Sequence, residues 1–334
     1  MNKRLLGLSI VTSLLLIGCS SSGGSDEHTL ETPKTYLLSE VFTDNNGDGN
    51  PDKIQTYTYD DNGNKLMYGD DLNGNGSPNR TWTYTYDVHG NMLTDSYDAD
   101  VDGNADTITT YEYDINGYLL TKSFDSDADG STDRRWTYTN DVDGNMLIEK
   151  DDTNMDGLAN AITTNTYDAD GNMLTHSVDS DADGNENKIS TYTYDSNGNM
   201  LTNSYDEDAD GNADRVSTFT YDSDGNRLSF NYDSDADGNA NLITTYIYNS
   251  DGKLLTKSYD SDADGNIDRV WTYTYDASGN MLMESDDTDM DGMANAVTTY
   301  TYDDYGNMLT ESLDSDLDGN ADKIIIQTWI ALQL

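Results

Sequence analysis

The chain has a single cysteine, Cys19, so no disulfide can form within it. Basic residues are scarce: 17 Lys and Arg stand against 64 Asp and Glu, a formal charge of −47 over 334 residues. So negative a balance opposes compaction by self-repulsion and excludes DNA or RNA as a partner. Histidine is rare too. His28, His89 and His176 are scattered through unrelated segments, and a repeat array singles out no acid, so no catalytic residue is expected and the chain is not read as an enzyme. Apolar runs occur only at the two ends, and neither is long enough to cross a bilayer as a helix. Acidity of this degree often marks disorder. The 25 tyrosines and the regularity of the sequence argue against it here.

The motif TYTYD and its variants end at Asp60, Asp87, Asp114, Asp141, Asp168, Asp195, Asp222, Asn249, Asp276 and Asp303, always 27 residues apart. Glycine follows three residues later, from Gly63 to Gly306, and leucine three beyond that, from Leu66 to Leu309. A second series, D-x-[DN]-x-[DN]-G-x-x-[DN], starts at Asp44 and occurs eleven times in step, the last at Asp314. Residues 35–322 are therefore one array of a single supersecondary unit, with no domain boundary inside it.

Each unit holds two strand-like runs. In VWTYTYD, Trp271, Tyr273 and Tyr275 alternate with Val270, Thr272 and Thr274. In MLTNSYD, Leu201 and Tyr205 share one face, and Met200, Thr202 and Ser204 the other. One face is thus aromatic and apolar, the other mostly hydroxyl with an aliphatic column such as Ile189, Val216 and Ile243. The connectors, DxxGN on one side and the acidic nonapeptide on the other, suit antiparallel neighbours better than the long crossover that parallel pairing needs. The expected fold is all-β: a repetitive antiparallel β-hairpin meander of about twenty strands forming one long curled sheet, tyrosine face inward, since open sheets rarely exceed ~10 strands without curling. The alternative is a parallel β-solenoid. Equivalent loops would lie about 4.8 Å apart in a solenoid and about 9.6 Å apart, along one edge, in a meander.

At the N-terminus, Lys3 and Arg4 precede an apolar run from Leu5 to Ile17, the pattern of a secretory signal over residues 1–18. Leu16, Ile17, Gly18 and Cys19 resemble the lipobox of bacterial lipoproteins. That resemblance implies cleavage before Cys19, diacylglycerol on its sulfur and, with Ser20 following, an outer-membrane destination. Residues 19–34 then form a lipidated flexible tether. At the other end, residues 323–334, KIIIQTWIALQL, read as an apolar capping strand over an exposed sheet edge.

The unit TYTYDSNGNML at 191–201 resembles the YD-repeat, or Rhs-type, family. The resemblance covers residues 54–310 and implies β-hairpins in a spiralling sheet. The unit here is longer, with an acidic loop in place of a short turn.

The acidic nonapeptides carry the chemistry. Calcium takes six to eight oxygen ligands, and carboxylates at positions 1, 3 and 5 with glycine at 6 let a backbone turn sharply around it. Asp260, Asp262, Asp264 and Gly265 fill those positions, and Asp268 at position 9 can close the site with the carbonyl of Asn266. Position 12 is Trp271, so no EF-hand is implied. The loops resemble those of integrin-type propeller blades and of thrombospondin type 3 repeats. Matched to that pattern, further complete sets are Asp98, Asp100, Asp102 and Asp106; Asp125, Asp127, Asp129 and Asp133; Asp206, Asp208, Asp210 and Asp214; and Asp314, Asp316, Asp318 and Asp322. Asp44, Asn46, Asp48 and Asp52 keep three carboxylates. Asparagine at position 9 makes weaker sites of Asp179, Asp181 and Asp183; Asp233, Asp235 and Asp237; and Asp287, Asp289 and Asp291, and Asp152, Asn154 and Asp156 are the ligands expected of a further loop. Residues 71–79 retain one carboxylate and are expected to hold no ion. Crowded carboxylates repel unless a cation sits among them, so metal binding doubles as folding energy.

The expected function is that of a calcium-binding, lipid-anchored cell-envelope or surface protein with a structural or adhesive role. Its partners are the membrane, through the N-terminal lipid, and surface glycans or other proteins. The alternative is a glycan-binding module using the tyrosine columns, or an ice-binding one using the TxT face.

Overall fold

The computed structural model describes residues 35–332; the expected signal peptide 1–18, the tether 19–34 and Cys19 lie outside the described residues. Twenty-two strands, β1 to β22 in chain order, make one sheet. The first, β1 (Thr35–Asp44), and the last, β22 (Lys323–Leu332), are ten residues long, and the twenty between them seven each. Every strand is antiparallel to the one before and the one after it. β22 also pairs with β1, from Thr35↔Leu332 to Asp44↔Ile324, with one bulge at Ser39. The sheet is therefore a closed 22-stranded barrel. The hairpin meander is as expected, but neither an open curled sheet nor a parallel solenoid forms. The segment at 323–332 is β22, a strand that pairs with both β21 (Met308–Asp314) and β1, so that no edge is left open.

The register shows how closure comes about. Thr256 faces Thr272, and Thr272 faces Ser285, so a walk across two strands advances 29 residues against a repeat of 27. The slip is two residues per repeat, about 22 around the ring. With as many strands as shear steps, the strands tilt roughly 37° and the backbone ring is roughly 40 Å across. Seven residues at that tilt give a wall only ~18 Å tall. A lipid-spanning barrel needs strands of about 9–11 residues and an outward apolar band. Neither face of this sheet carries one.

The two faces are unequally enclosed. Burial pushes the hydroxyls of Tyr57, Tyr273 and Tyr300 up to about 12, whereas Thr272 and Thr274 on the opposite face are exposed. Side chains converge on the concave side of a ring and splay on the convex side. The aromatic rows therefore line the lumen.

Hairpins are tied internally and to one another by different means. Within a DxxGN hairpin, such as β18 (Arg269–Tyr275) with β19 (Met281–Asp287), six residue pairs face one another, the last of them, Tyr275 with Met281, beyond a one-residue bulge. Across an acidic loop, between β17 (Leu254–Asp260) and β18, only four are. The ladder stops short of the turn rim, leaving carbonyls such as that of Leu254 without a strand partner. The Tyr275 hydroxyl donates to it at 2.8 Å, as Tyr248 does to Arg227 and Tyr86 to Lys65, each at 2.9 Å. The second tyrosine of the motif thus replaces a missing backbone bond.

Only at the seam does the barrel bury apolar side chains. Leu37 and Val41 on β1, 4% and 8% exposed, are the buried hydrophobic residues among those described. Ser39 Oγ meets Thr328 Oγ1 at 2.8 Å, Trp329 Nε1 donates to the Met308 carbonyl at 2.8 Å, and the rings of Tyr36 and Tyr305 lie 4.8 Å apart. Leu37→Ala should cost about 2–5 kcal/mol, the usual range for a buried leucine. Hydrogen exchange should accelerate first in β1 and β22, while Leu201→Ala on the open lumen face changes little. Equal exchange in both variants would mean that the seam is not the weak joint.

Candidate metal centres on the acidic rim

Strand alternation puts all eleven acidic loops on one rim of the barrel and all ten DxxGN turns on the other. The loops form a ring, one per repeat, rather than a row along an open edge.

The loop at 260–268 shows the common build. Asp260, 3% exposed, accepts from the Gly265 amide at 2.9 Å through Oδ2 and from the Asp264 amide at 3.2 Å through Oδ1. The Asp262 carboxylate accepts from the Asp264 amide at 3.3 Å, and Asp264 from the Asn266 amide at 2.8 Å and its Nδ2 at 2.9 Å. Carboxylates 1, 3 and 5 are thereby folded over the same few amides. Gly265 has φ 93°, and a Cβ there would meet nothing within 4 Å, so glycine is required for the dihedral and not for space.

Position 4 shows what the sequence pattern hid. Nine non-glycine residues there, among them Ala263 at 55° and Val101 at 61°, adopt the left-handed conformation, at about 1–2 kcal/mol each. The other two are Gly47 and Gly74. A Cβ on Gly47 would lie 2.0 Å from the Ala321 carbonyl oxygen and one on Gly74 1.9 Å from that of Pro51, so these loops lean against the loop before them.

Position 9 has a different first task from the one its spacing suggests. Asp268 Oδ2 accepts from the Ser261 amide at 2.7 Å and the Ser261 hydroxyl at 2.6 Å, closing the loop on itself. Asparagine does the same: Asn187 Oδ1 binds Ser180, and Asn160, Asn241 and Asn295 bind Thr153, Ser234 and Thr288. The interchange of Asp and Asn at this position, with Ser or Thr common at position 2, was the available signal. An aspartate there still has its other oxygen. In at least two loops it joins the cluster, as Asp98, Asp100 and Asp106 and as Asp125, Asp127 and Asp133, with one oxygen from each within 4.8 Å of the others. In at least three others the cluster is positions 1, 3 and 5: Asp179, Asp181 and Asp183; Asp206, Asp208 and Asp210; and Asp233, Asp235 and Asp237. Each of these groups comes from one loop.

The acid chemistry matches this crowding. Burial pushes the Asp233 carboxyl up, but the Gly238, Asp235 and Asp237 amides and a hydrogen bond with Asp235 bring it below its ordinary value. Its neighbour Asp235 is raised, by the hydrogen bond to Asp233, then by the Asp237 charge. Among the loop carboxylates of the described residues, two buried oxygens have no hydrogen-bond partner: Oδ1 of Asp152 and Oδ1 of Asp314, both at position 1. Their Oδ2 atoms accept from Gly157 at 2.9 Å and Gly319 at 3.0 Å. The donors are oxygens throughout, the set a hard divalent cation prefers. The loop at 71–79 has the same backbone, with the Gly76 amide 2.6 Å from Asp71 Oδ2, but asparagines at its positions 3 and 5.

No family model and no curated protein matches the chain. Among solved structures it is similar to TcdB2–TccC3 without its hypervariable C-terminal region, at 17% identity and TM-score 0.37 over 88% of this chain and 19% of that one. It is also similar to the Photorhabdus luminescens Tc holotoxin pore, at 16% and 0.40 over 90% and 20%. A porin-like protein from Bacteroides uniformis gives 12% and 0.27 over 88% and 98%. The chain spans about a fifth of the length of the two toxin chains. Such likenesses describe repetitive β-structure and assign no activity.

On the turn rim, Asp222 Oδ1 accepts from the Asp224 amide at 2.9 Å and the Asn226 amide at 2.8 Å, and Oδ2 from Asn226 Nδ2 at 2.9 Å. The Asn226 side chain, then its amide, holds the carboxyl below its ordinary value, and Asp87, Asp141, Asp168, Asp195 and Asp276 are lowered likewise. A depressed carboxyl contributes stability above its unfolded value, about 3.9, and that contribution is lost as pH falls through the folded value. Without metal, the melting temperature should therefore drop steeply below about pH 4, despite relief of the net charge. Asp222→Asn, which copies the natural Asn249 turn, should shallow that drop; a melting curve flat between pH 4 and pH 2 would contradict it.

Proposed function

We propose that the protein is a calcium-dependent, lipid-anchored β-barrel of the bacterial cell envelope, with a structural or adhesive role. The observation that carries the calcium reading is the unpartnered, buried Oδ1 of Asp152 and of Asp314, in loops whose equivalents bring three carboxylates within 4.8 Å. A buried carboxylate oxygen without a partner is costly, and a cation satisfies it. Positions 1, 3 and 5 would hold the ion, with position 9 joining where it is aspartate. Bound calcium offsets much of the rim's negative charge and so weakens the main force opening the ring.

The anchor reading rests on Cys19 and its lipobox. Thr35 and Leu332, paired across the seam, both lie at the turn rim. In this reading the anchor joins the barrel at Thr35, on the turn rim. An adhesive surface in this reading is the calcium-loaded rim. The ice-binding alternative gains no support, because the threonine face wraps around a cylinder and presents no plane.

Calcium binding should appear in the ~0.1–1 mM range of extracellular modules. At tenfold excess over Kd each filled loop adds about 1.4 kcal/mol, so chelator should lower the melting temperature by tens of degrees and calcium restore it. Asp260→Ala with Asp264→Ala should remove one ion in calorimetric titration. A melting curve indifferent to chelator would mean that the loops are turns only. Separately, Cys19→Ala should release the protein from the membrane fraction; retention without acyl label would end the anchor reading.

A further inference from the structure

The turn rim carries an apolar feature that the fold does not use. Each of its ten turns has two tip residues between the leading Asp or Asn and the glycine. In seven turns the first of them is small or acidic: Asp61, Ala169, Ser196, Ser223, Ser250, Ala277 and Asp304. In the other three it is aliphatic and β-branched. Val88 is 95% exposed, Ile115 99% and Val142 92%. Side chains so exposed bury nothing, and turns favour Asp, Asn, Ser and Gly at such places. Neither the packing of the barrel nor the chemistry of the turn accounts for them.

Their placement is ordered. The three turns, 87–90, 114–117 and 141–144, are consecutive, and the same register recurs in each of their hairpins, so the tips stand at one height on the rim. Neighbouring tips are roughly 12 Å apart, two strand spacings measured along the tilted rim. Between the second and third lies Tyr118, in a place that asparagine holds in eight of the ten turns, with its ring against Gly144. The leading acids of this arc are engaged: Oδ1 of Asp87, of Asp114 and of Asp141 each accepts from two backbone amides of its own turn. The second tip residues are His89, Asn116 and Asp143, one acid among three, whereas Asp170, Asp224 and Asp251 hold that place further round. The arc begins one hairpin away from Thr35, where the chain enters β1 at the same rim.

We propose that these three tips are the barrel's contact with the bilayer surface: Val88, Ile115 and Val142 enter the boundary between lipid headgroups and acyl chains and turn this rim towards the membrane. The proposal rests on the anchor reading, which brings barrel and bilayer together. A tether alone does not orient the barrel, because residues 20–34 reach about 50 Å when extended, further than the wall is tall. Tips held at one height meet a flat surface together, which suits a bilayer better than a groove or a knob on another protein. Interfacial binding grows with the apolar area buried. Three side chains are too few to hold the protein by themselves, so their effect is to orient a barrel already anchored. The net charge of −47 disfavours anionic lipid, which makes the surface in question zwitterionic.

The test holds the calcium-saturated chain from residue 19, with Cys19→Ser and an N-terminal hexahistidine, on phosphatidylcholine vesicles that carry a nickel-chelating lipid. That tether stands in for the acyl group, so a failure of lipidation, read separately by the Cys19→Ala fractionation, leaves the outcome here untouched. A fluorophore is attached at Asn116→Cys, beside Ile115, or at Asn197→Cys, the same position three turns further on, and is quenched by lipids brominated in the acyl chain. Quenching at 116 should exceed that at 197 at least threefold. Val88→Ser, Ile115→Ser and Val142→Ser combined should bring 116 down to the level of 197, with the melting temperature unchanged because none of the three is packed. Equal quenching at the two positions, or no loss in the triple variant, would overturn the proposal. A fluorophore at 116 that is shielded without vesicles, in a protein that sediments as a dimer, would also overturn it by assigning the tips to a second copy of the chain.

Discussion

Repulsion among carboxylates on one rim is the constraint to which the rest of the barrel answers. Eleven loops crowd their acids at the ends of strands that have no packed core behind them. Opposing that repulsion are the strand ladders, which run continuously because the sheet has no edge, and the amides folded beneath each position-1 aspartate. A divalent ion acts at the point where the opposing force originates. On the reading proposed above, calcium is less a ligand added to a fold than a term in whether the ring stays shut.

The lumen solves a second electrostatic problem. Basic residues are few, and four of them, Lys122, Arg134, Lys257 and Arg269, sit on tryptophan faces, with Arg134 paired to Asp151 and Arg269 to Asp286. Rings, cations and acids interleave along the concave wall. Apolar residues such as Leu201 and Leu255 remain partly exposed there. The wall is thus held by lateral contacts between neighbouring strands, and the centre of the ring needs no filling.

The strands and both kinds of connector were legible because they repeat. MLTNSYD coincides with the strand Met200–Asp206, and VWTYTYD is displaced by one residue from β18. Closure was not legible. β1 lacks the tyrosine motif, and its pairing with β22 joins residues 289 apart, as between Ser39 and Thr328, which no local period can announce. Positions 1, 3 and 5 lie together in the loops that begin at Asp179, Asp206 and Asp233, where spacing alone brings them around one turn. Position 9 was assigned to the ion by spacing, yet its nearer partner is the amide at position 2. The left-handed alanines at position 4 gave no sign, since alanine is ordinary in every other conformation.

The two-residue slip of each repeat also bears on how such a chain can change length. A barrel's tilt depends on the ratio of shear to strand number, and each repeat adds two to both. Gain or loss of one unit, as by unequal recombination between the near-identical segments that encode them, would leave tilt and wall height unaltered and change only the girth, by about a tenth. The terminal strands would still meet in register. The architecture is therefore a ring that can be resized by whole units without redesigning any joint, and copy number is a coordinate along which relatives of this chain can diverge freely.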